Sequence, residues 1–408
     1  MRPPLMSPFA DAVAQPLDAT VALLARFRGD PRTVKMNLAC GTFVGSDGQV
    51  PLMRAVRDAE VSLAAEGRSR DYQAMAGDER LLRAARELLL GRELAESTRH
   101  RLAALQTLGG TGALRIAADL LYALMPAARV YVSRPTWGNH PQIFETAGFE
   151  VHEHPYIDAA TGEPDFAGMA RTLREDAPHG SIVVLHTSCH NPTGFDPSAA
   201  QWEELADVFV EKGLIAVHDV AYQGLGEGLD EDVRSLRMFV ARGIPTLVAN
   251  SLSKTFSLYG ERVGTLVVTC ADATEAHRVG SMMQRIVRTN YSTPPIHGAA
   301  LIVRVLEDPV LLESWKTELN AMGRHVRAMR RAVIDGFHEM GLPVVRERLE
   351  AQKGLFCFSG IPPEVVDRLR TDRGIYLLRS GRLCLAALDA QGVQRFVRET
   401  AEAWAVVA

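Results

Sequence analysis

Between residues 50 and 291 the apolar positions alternate between two spacings. In "PLMRAVRDAEVSLAAEG" and "ERLLRAARELLLG" they recur every three or four residues, and each run is closed by glycine, which predicts amphipathic helices. "ALRIAADLLYALM" and "AAQWEELADVFVEKG" follow the same period. Between these segments, "RVYVS", "SIVVLH", "LIAVHDV", "TLVANS" and "ERVGTLVVT" are short apolar runs bounded by turn residues. Runs of that kind are strands buried on both faces, and their alternation with helices predicts a mostly parallel sheet covered on both sides.

Beyond Pro294 the pattern changes. A helical stretch over roughly 296–340 leads into "GLFCFSG", a helix from Pro363, "IYLLRS", "RLCLAAL" and a C-terminal helix. These form a compact α+β unit, with the long helical stretch joining it to the first. The segment up to about Ser46 has few elements of its own and is expected to pack on this second unit. The resulting division is an N-terminal arm at 1–13, a small domain from 14–46 and 320–408, and a large domain at 47–319.

The totals narrow the function. A chain of 408 residues is long enough for one large domain and a smaller one. Its 47% hydrophobic and 23% charged content is that of a soluble globular protein. A net charge of -4 argues against a general nucleic-acid or anionic-membrane binder. No run is long and apolar enough to span a bilayer, and "MRPPLMSPFADAVAQP" lacks an apolar signal core, so a cytoplasmic location is expected. The cysteines (Cys40, Cys189, Cys270, Cys357, Cys384) are scattered and odd in number, which predicts reduced thiols without a disulfide framework or a metal site.

In open α/β sheets ligands bind beyond the carboxyl ends of the strands. Five turns at such ends carry the reactive residues: "TLGGTGALR", "SRPTWGNH", "HTSCHNPTG", "VHDVAYQG" and "SLSKTF". Gly109 and Gly110 let a ligand approach the backbone where a helix starts, and Thr111 adds a hydroxyl, so this turn suits an anion. A glycine-rich start to a helix with no ligand fits the pattern equally well. Asp219 ends an apolar strand, where a carboxylate needs a cation or strong donors, although a plain helix cap is the commoner use. Lys254 ends the next strand. It is one of five lysines in the chain, and desolvation at such a place favours a nucleophilic amine over a lysine that merely reaches solvent. Ser251, Ser253 and Arg262 around it suit a phosphate. A phosphate cradle, a strand-end carboxylate and a reactive lysine are together the set that pyridoxal phosphate requires. A nicotinamide site would need an acid about 20 residues past the glycines, where the chain has "VYVSRP".

With these motifs the chain resembles the class I, fold-type I aminotransferases of the aspartate/aromatic amino-acid group. The likeness rests on "QTLGGTGALR", "PTWGNH", "HNPTGFDP", "AYQG", "SLSKTFSLYGERVG", "VRTNYSTPP" and "SGRLCLA" and covers nearly the whole chain. It implies a large domain with a mostly parallel seven-stranded sheet flanked by helices, plus a smaller α+β domain. It also implies that Lys254 forms the Schiff base with pyridoxal phosphate, that Asp219 partners the ring nitrogen, and that Tyr222 and Asn191 bind the 3-oxygen. Trp137 then stacks on the ring, while Gly109, Gly110, Thr111, Ser251 and Arg262 hold the phosphate. Tyr72 reaches the phosphate of the other subunit in an obligate homodimer with shared active sites. For substrate, the resemblance gives Arg382 the α-carboxylate, assisted by Gly41 and Asn191. It gives Arg288 the distal carboxylate of aspartate or glutamate across the dimer.

The expected activity is reversible amino transfer from an aromatic or acidic L-amino acid to a 2-oxo acid such as 2-oxoglutarate. The apolar Val44 and Val50, near the entrance of the site in relatives, favour aromatic donors. An aspartate-only enzyme and a pathway-dedicated homologue acting on an unusual amino acid are the alternatives. A pyridoxal-phosphate transcription regulator would need an added basic helix-turn-helix domain, for which the short N-terminus leaves no room. A lyase or decarboxylase on the same fold would have no use for Arg288. The chain departs from its relatives at Thr255 and Ser257, where asparagine and glycine are usual, and at Asp71, Cys384 and Thr293.

Overall fold

The structure, a computed structural model, describes residues 7, 9–44 and 49–407. Residues 1–6 and 8 of the expected N-terminal arm therefore lie outside the described residues. In chain order the strands are β1 (Met36–Asn37), β2 (Leu102–Leu108), β3 (Val130–Arg134), β4 (Val151–Pro155), β5 (Ile182–His186) and β6 (Ile215–Val220). They continue with β7 (Thr246–Ser251), β8 (Val263–Thr269), β9 (Phe356–Phe358), β10 (Ile375–Tyr376) and β11 (Arg382–Cys384).

Seven of these strands form the central sheet, in the order β2-β8-β7-β6-β5-β3-β4. β3 to β7 run parallel, whereas β8 is antiparallel to both β7 and β2. The apolar runs explain the middle of the sheet: β5 and β7 are buried at every position, and β6 at every position after the first. Helices Gly109–Leu124 and Ala273–Asn290 cover one face, and Phe166–Glu175 and Ala199–Lys212 cover the other. The two sheet strands without a sequence signal of their own lie at the two edges. β4 reads "VHEHP" and is only partly buried, so no apolar run marks it; its pairing with β3 makes it a strand. β2 is defined by a seven-residue ladder with β8, a contact across more than 150 residues of chain.

The strand order also positions the site. From β3 the chain steps outward to β4 and then crosses back to β5 on the other side of β3, so the direction of winding reverses between β3 and β5. Ligands of open α/β sheets bind outside such a reversal. Trp137 follows β3, Asn191 follows β5, Asp219 sits near the end of β6, and Lys254 follows β7.

The stretch expected to be one long helix is two, His297–Glu307 and Pro309–Glu339. Asp308 between them has an extended backbone and caps the second helix, its carboxylate accepting from the N–H groups of Val310 and Leu311. A residue before proline is pushed out of helical conformation, and proline itself is favoured at the first helical position.

The remaining strands pair outside the main sheet, β9 with β11 antiparallel and β1 with β10 parallel. Arg32, just before β1, donates to the carbonyls of Thr371 and Arg370, so the early segment is held on the C-terminal elements. One apolar cluster runs from Val56 and Leu81 through Trp315 and Phe337 to Phe396, tying these elements to the large helices. Among the described residues, no helix is long and apolar enough to cross a membrane.

Candidate active site

Beyond the carboxyl ends of the strands lies a cleft of about 440 Å³. It is lined by Gly41, Gly110, Thr111, Trp137, Asn191, Asp219, Tyr222, Ser251, Lys254, Arg262 and Arg382, so residues 41 to 382 meet in one space.

Three glycines allow close packing where the helix Gly109–Leu124 meets the sheet. Gly109 has φ +69°, and a Cβ there would lie 2.7 Å from Nη2 of Arg262. A Cβ on Gly110 would lie 3.0 Å from Cβ of Ser251. On Gly264 it would come within 2.5 Å of the Asn250 carbonyl oxygen and 2.7 Å of the Gly109 backbone. The helix N-terminus is thereby brought against β7 and β8, with its unpaired N–H groups beside the hydroxyls of Thr111 and Ser251 and the guanidinium of Arg262. Arg262 is fixed by its own hydrogen bonds, Nη1 donating to the Tyr259 carbonyl at 3.1 Å and to Ser253 Oγ at 3.4 Å.

Asp219 is buried, and its Oδ2 accepts from Nε2 of His140 at 3.1 Å. Nδ1 of the same imidazole meets Thr136 Oγ1 at 2.9 Å, and that hydroxyl also meets Nε2 of His186 at 3.2 Å. Burial alone would raise the Asp219 pKa. The hydrogen bond and field of His140, with His186 and Lys254, outweigh it and hold the carboxylate below its ordinary range. Lys254 shows the opposite balance. Burial lowers its pKa most, Asp219 opposes that, and the Arg262 charge adds to it, so the amine gives up its proton more readily than an ordinary lysine. Its Nζ lies 4.6 Å from the centroid of the Tyr222 ring. Burial pushes the Tyr222 hydroxyl well above its ordinary value, so it keeps its proton.

On the other wall Arg382 is 5% exposed. Nη1 donates to Oδ1 of Asn191 at 2.9 Å and Nη2 to the Ala39 carbonyl at 2.5 Å, while Nε is buried without a partner. Its guanidinium lies 4.2 Å over the Phe356 ring, which also meets Tyr222 edge-on at 6.0 Å. A Cβ on Gly41 would come within 2.7 Å of that ring, so glycine is needed for this approach.

Residues 33–399 match the family model for class I and II aminotransferases. The chain belongs to that family. It is 42% identical over 382 residues to a tyrosine aminotransferase of Klebsiella pneumoniae, covering 93% of this chain and 96% of the relative. It is 39% identical to an aspartate aminotransferase of Pseudomonas aeruginosa, covering 96% and 98%. An aromatic-amino-acid aminotransferase of Burkholderia pseudomallei, solved covalently bound to pyridoxal phosphate, superposes with a TM-score of 0.93 at 41% identity, over 98% of this chain and 100% of that one.

This aminotransferase depends on pyridoxal phosphate, and the cleft fits that cofactor. The helix N-terminus with Thr111, Ser251 and Arg262 suits a phosphate, an ionised carboxylate stands ready for a ring nitrogen, and Lys254 in the same cleft has a pKa lowered by burial.

Of the sequence-derived site residues, Gly109 does not line the cleft itself but packs against Arg262, which does, and two others are elsewhere. Tyr72 is 90% exposed, and Arg288 is exposed with Nη1 donating to Ser292 Oγ at 2.6 Å; neither lines the cleft of its own chain. Val44 and Val50 do not line it either. Conversely, the sequence reading missed Asp18, Thr20 and Val21, Asn139, Tyr259 and Phe356, all of which line the cleft, and His140 behind Asp219. His140 and Asn139 stand in "PTWGNH", one turn from Trp137, so their place in the motif was a usable signal. The departure at Ser257 has a backbone correlate. It sits at φ +52°, the left-handed region that favours the glycine usual in relatives.

Proposed function

We propose that this aminotransferase moves the amino group of an aromatic (tyrosine, phenylalanine) or acidic (aspartate, glutamate) L-amino acid to a 2-oxo acid, with 2-oxoglutarate as the working acceptor. The observation that carries the reading is Arg382, a buried guanidinium on the wall of the same cleft as Lys254 and Asp219. A substrate α-carboxylate suits the planar fork of such a cation. The tyrosine and aspartate aminotransferases among its relatives support both donor classes.

When bound, pyridoxal phosphate supplies an electron-withdrawing ring that stabilises negative charge developing at the substrate α-carbon. Lys254 anchors it covalently. Once exchanged for the substrate amine, its Nζ would be the base that takes the proton from Cα and returns it to the carbon on the far side of the amino nitrogen, two bonds away. Asp219, with Oδ2 committed to His140, uses its other oxygen to keep a ring nitrogen protonated. Tyr222 and Asn191 would hold the cofactor's 3-oxygen, and Trp137 would pack against its ring. Gly109, Gly110, Thr111, Ser251 and Arg262 hold the phosphate. Gly41 and Asn191 assist Arg382. Movement of the small domain, taken as 14–46 and 320–408, brings Arg382 in and excludes water.

We infer a homodimer with shared sites, in which Tyr72 and Arg288 serve the partner's cleft. Their exposure in the single chain supports this, since neither has a role in its own cleft. A reducing, cytoplasmic location agrees with five free cysteines, four of them buried.

The test is kcat/KM for aspartate and for phenylalanine in two variants. Loss of a desolvated bidentate ion pair costs about 3–5 kcal/mol, on the order of hundreds- to thousands-fold. Arg382→Leu should lose that much for both donors, and Arg288→Leu for aspartate alone. Equal losses in Arg288→Leu would remove Arg288 as the side-chain reader. A wild type inactive on phenylalanine and tyrosine would leave the aspartate-only enzyme.

A further inference from the structure

The helix Pro309–Glu339 passes behind the cleft and touches three parts of the site from one side. Near its start Trp315 is fully buried. Its Nε1 donates to the Thr255 carbonyl at 2.9 Å, and its ring stacks on Phe256 at 4.7 Å and 8°. Both residues directly follow Lys254. Further along, Leu319 packs under Gly224, where a Cβ would lie 2.6 Å from Cδ2 of the leucine, and Arg327 donates to the Gly226 carbonyl at 2.8 Å. These contacts hold the turn that follows Tyr222.

Arg330, fifteen residues beyond Trp315 and roughly 22 Å along the axis, is the unexpected member. It is 6% exposed, yet forms no ion pair with a described residue. Nη2 donates to the carbonyls of Gly354 at 2.6 Å and Phe356 at 3.1 Å, and Nη1 is buried without a partner. An unpaired buried cation is costly, and an apolar side chain of similar volume would serve packing alone at least as well. Its location gives it a use. The Phe356 backbone it grips carries the ring beneath Arg382 at 4.2 Å.

We propose that this helix is a ruler holding the lysine turn and the carboxylate-binding arginine in register, with Trp315 positioning Lys254 and Arg330 positioning Arg382 through Phe356. The proposal rests on the reading of Arg382 as the α-carboxylate site. It makes Arg330 and Trp315 positioning residues with different signatures: one governs substrate affinity, the other the titration of the lysine.

The test uses the holoenzyme with two readouts. One is the affinity for 3-phenylpropionate, a carboxylate without an amino group, by calorimetry. The other is the pH midpoint of the absorbance of the lysine-bound cofactor. Arg330→Met gives up two hydrogen bonds and should weaken 3-phenylpropionate about tenfold. It should raise KM for aspartate and phenylalanine alike and leave the absorbance midpoint unmoved. Arg330→Lys, which keeps the charge and a donor, should recover part of the affinity, and it serves as the test if the methionine variant does not fold. Trp315→Phe keeps an aromatic ring beside Phe256 and loses the N–H together with the small volume of the five-membered ring that carries it. A looser turn admits water to Lys254, so the midpoint should rise and kcat fall, with 3-phenylpropionate binding unchanged. The ruler is overturned if both arginine variants bind 3-phenylpropionate as the wild type does, or if the Trp315 and Arg330 variants move both readouts together, as general loosening would. If Arg382→Leu binds the probe normally, the carboxylate assignment beneath the proposal fails instead.

Discussion

The strand-end half of the site and its outer half are built in opposite ways. Asp219, Tyr222 and Arg382 are buried, Lys254 is nearly so, and each meets its partners within the same chain. Tyr72 and Arg288 are exposed, and the Arg288 guanidinium donates to Ser292, only four residues away. Buried titratable groups have their protonation set by their surroundings: Asp219 and Lys254 are both displaced downward, the carboxylate by His140 against its burial and the amine by burial itself. An exposed arginine has its charge in water and gains selectivity only when a second surface covers it. In the proposed dimer the chemistry therefore belongs to one chain, and the reading of the substrate side chain is completed by a second.

The largest effects should follow from breaking the buried half. Lys254→Ala should reduce steady-state turnover to background while cofactor is still retained without a covalent bond. Borohydride reduction and peptide mapping should put the label on Lys254 in the wild type, and a label on any other lysine would overturn its role. Asp219→Ala should lose several orders of magnitude in kcat, whereas Asp219→Glu, which keeps the charge, should retain much more. Equal behaviour of the two variants would make the carboxylate structural.

Much of this half is legible in the sequence, because the apolar runs of β6 and β7 end directly on Asp219 and just before Lys254. The strands that the runs do not mark are β4, whose "VHEHP" needs β3 to order it, and β2, which needs β8. The break at Asp308 was readable from the proline after it, but the unbroken helical period masked it. Phe356 and the first turn at Asp18 reach the cleft only through folding contacts across hundreds of residues, and no local pattern announces that. Tyr72 and Arg288 come from the family resemblance alone.

A smaller effect probes the buried network by pH. His154 is fully buried, and burial, opposed only weakly by its bond to the Pro155 carbonyl, lowers its pKa from 6.5 to about 4. The unfolded chain takes up this proton near 6.5 and the folded chain only near 4. The stabilisation is thus fully present above 6.5 and lost as pH falls to about 4, a difference of about 3 kcal/mol. His154→Phe should narrow the gap between urea midpoints measured at pH 7 and pH 4.5. An unchanged gap would mean that this imidazole titrates normally.

The contrast between the two halves is tested most directly by mixing two parents that are each defective toward aspartate. Lys254→Ala lacks the base in its own cleft, and Arg288→Leu lacks the side-chain reader. If Arg288 serves the partner's cleft, a hybrid dimer contains one site with an intact Lys254 from one subunit and an intact Arg288 from the other. Subunits refolded together, with hybrid formation verified by mass spectrometry, should then recover aspartate transamination well above the sum of the parents. Hybrids that form but show only the parental sum would place Arg288 in its own chain's site and contradict the shared arrangement.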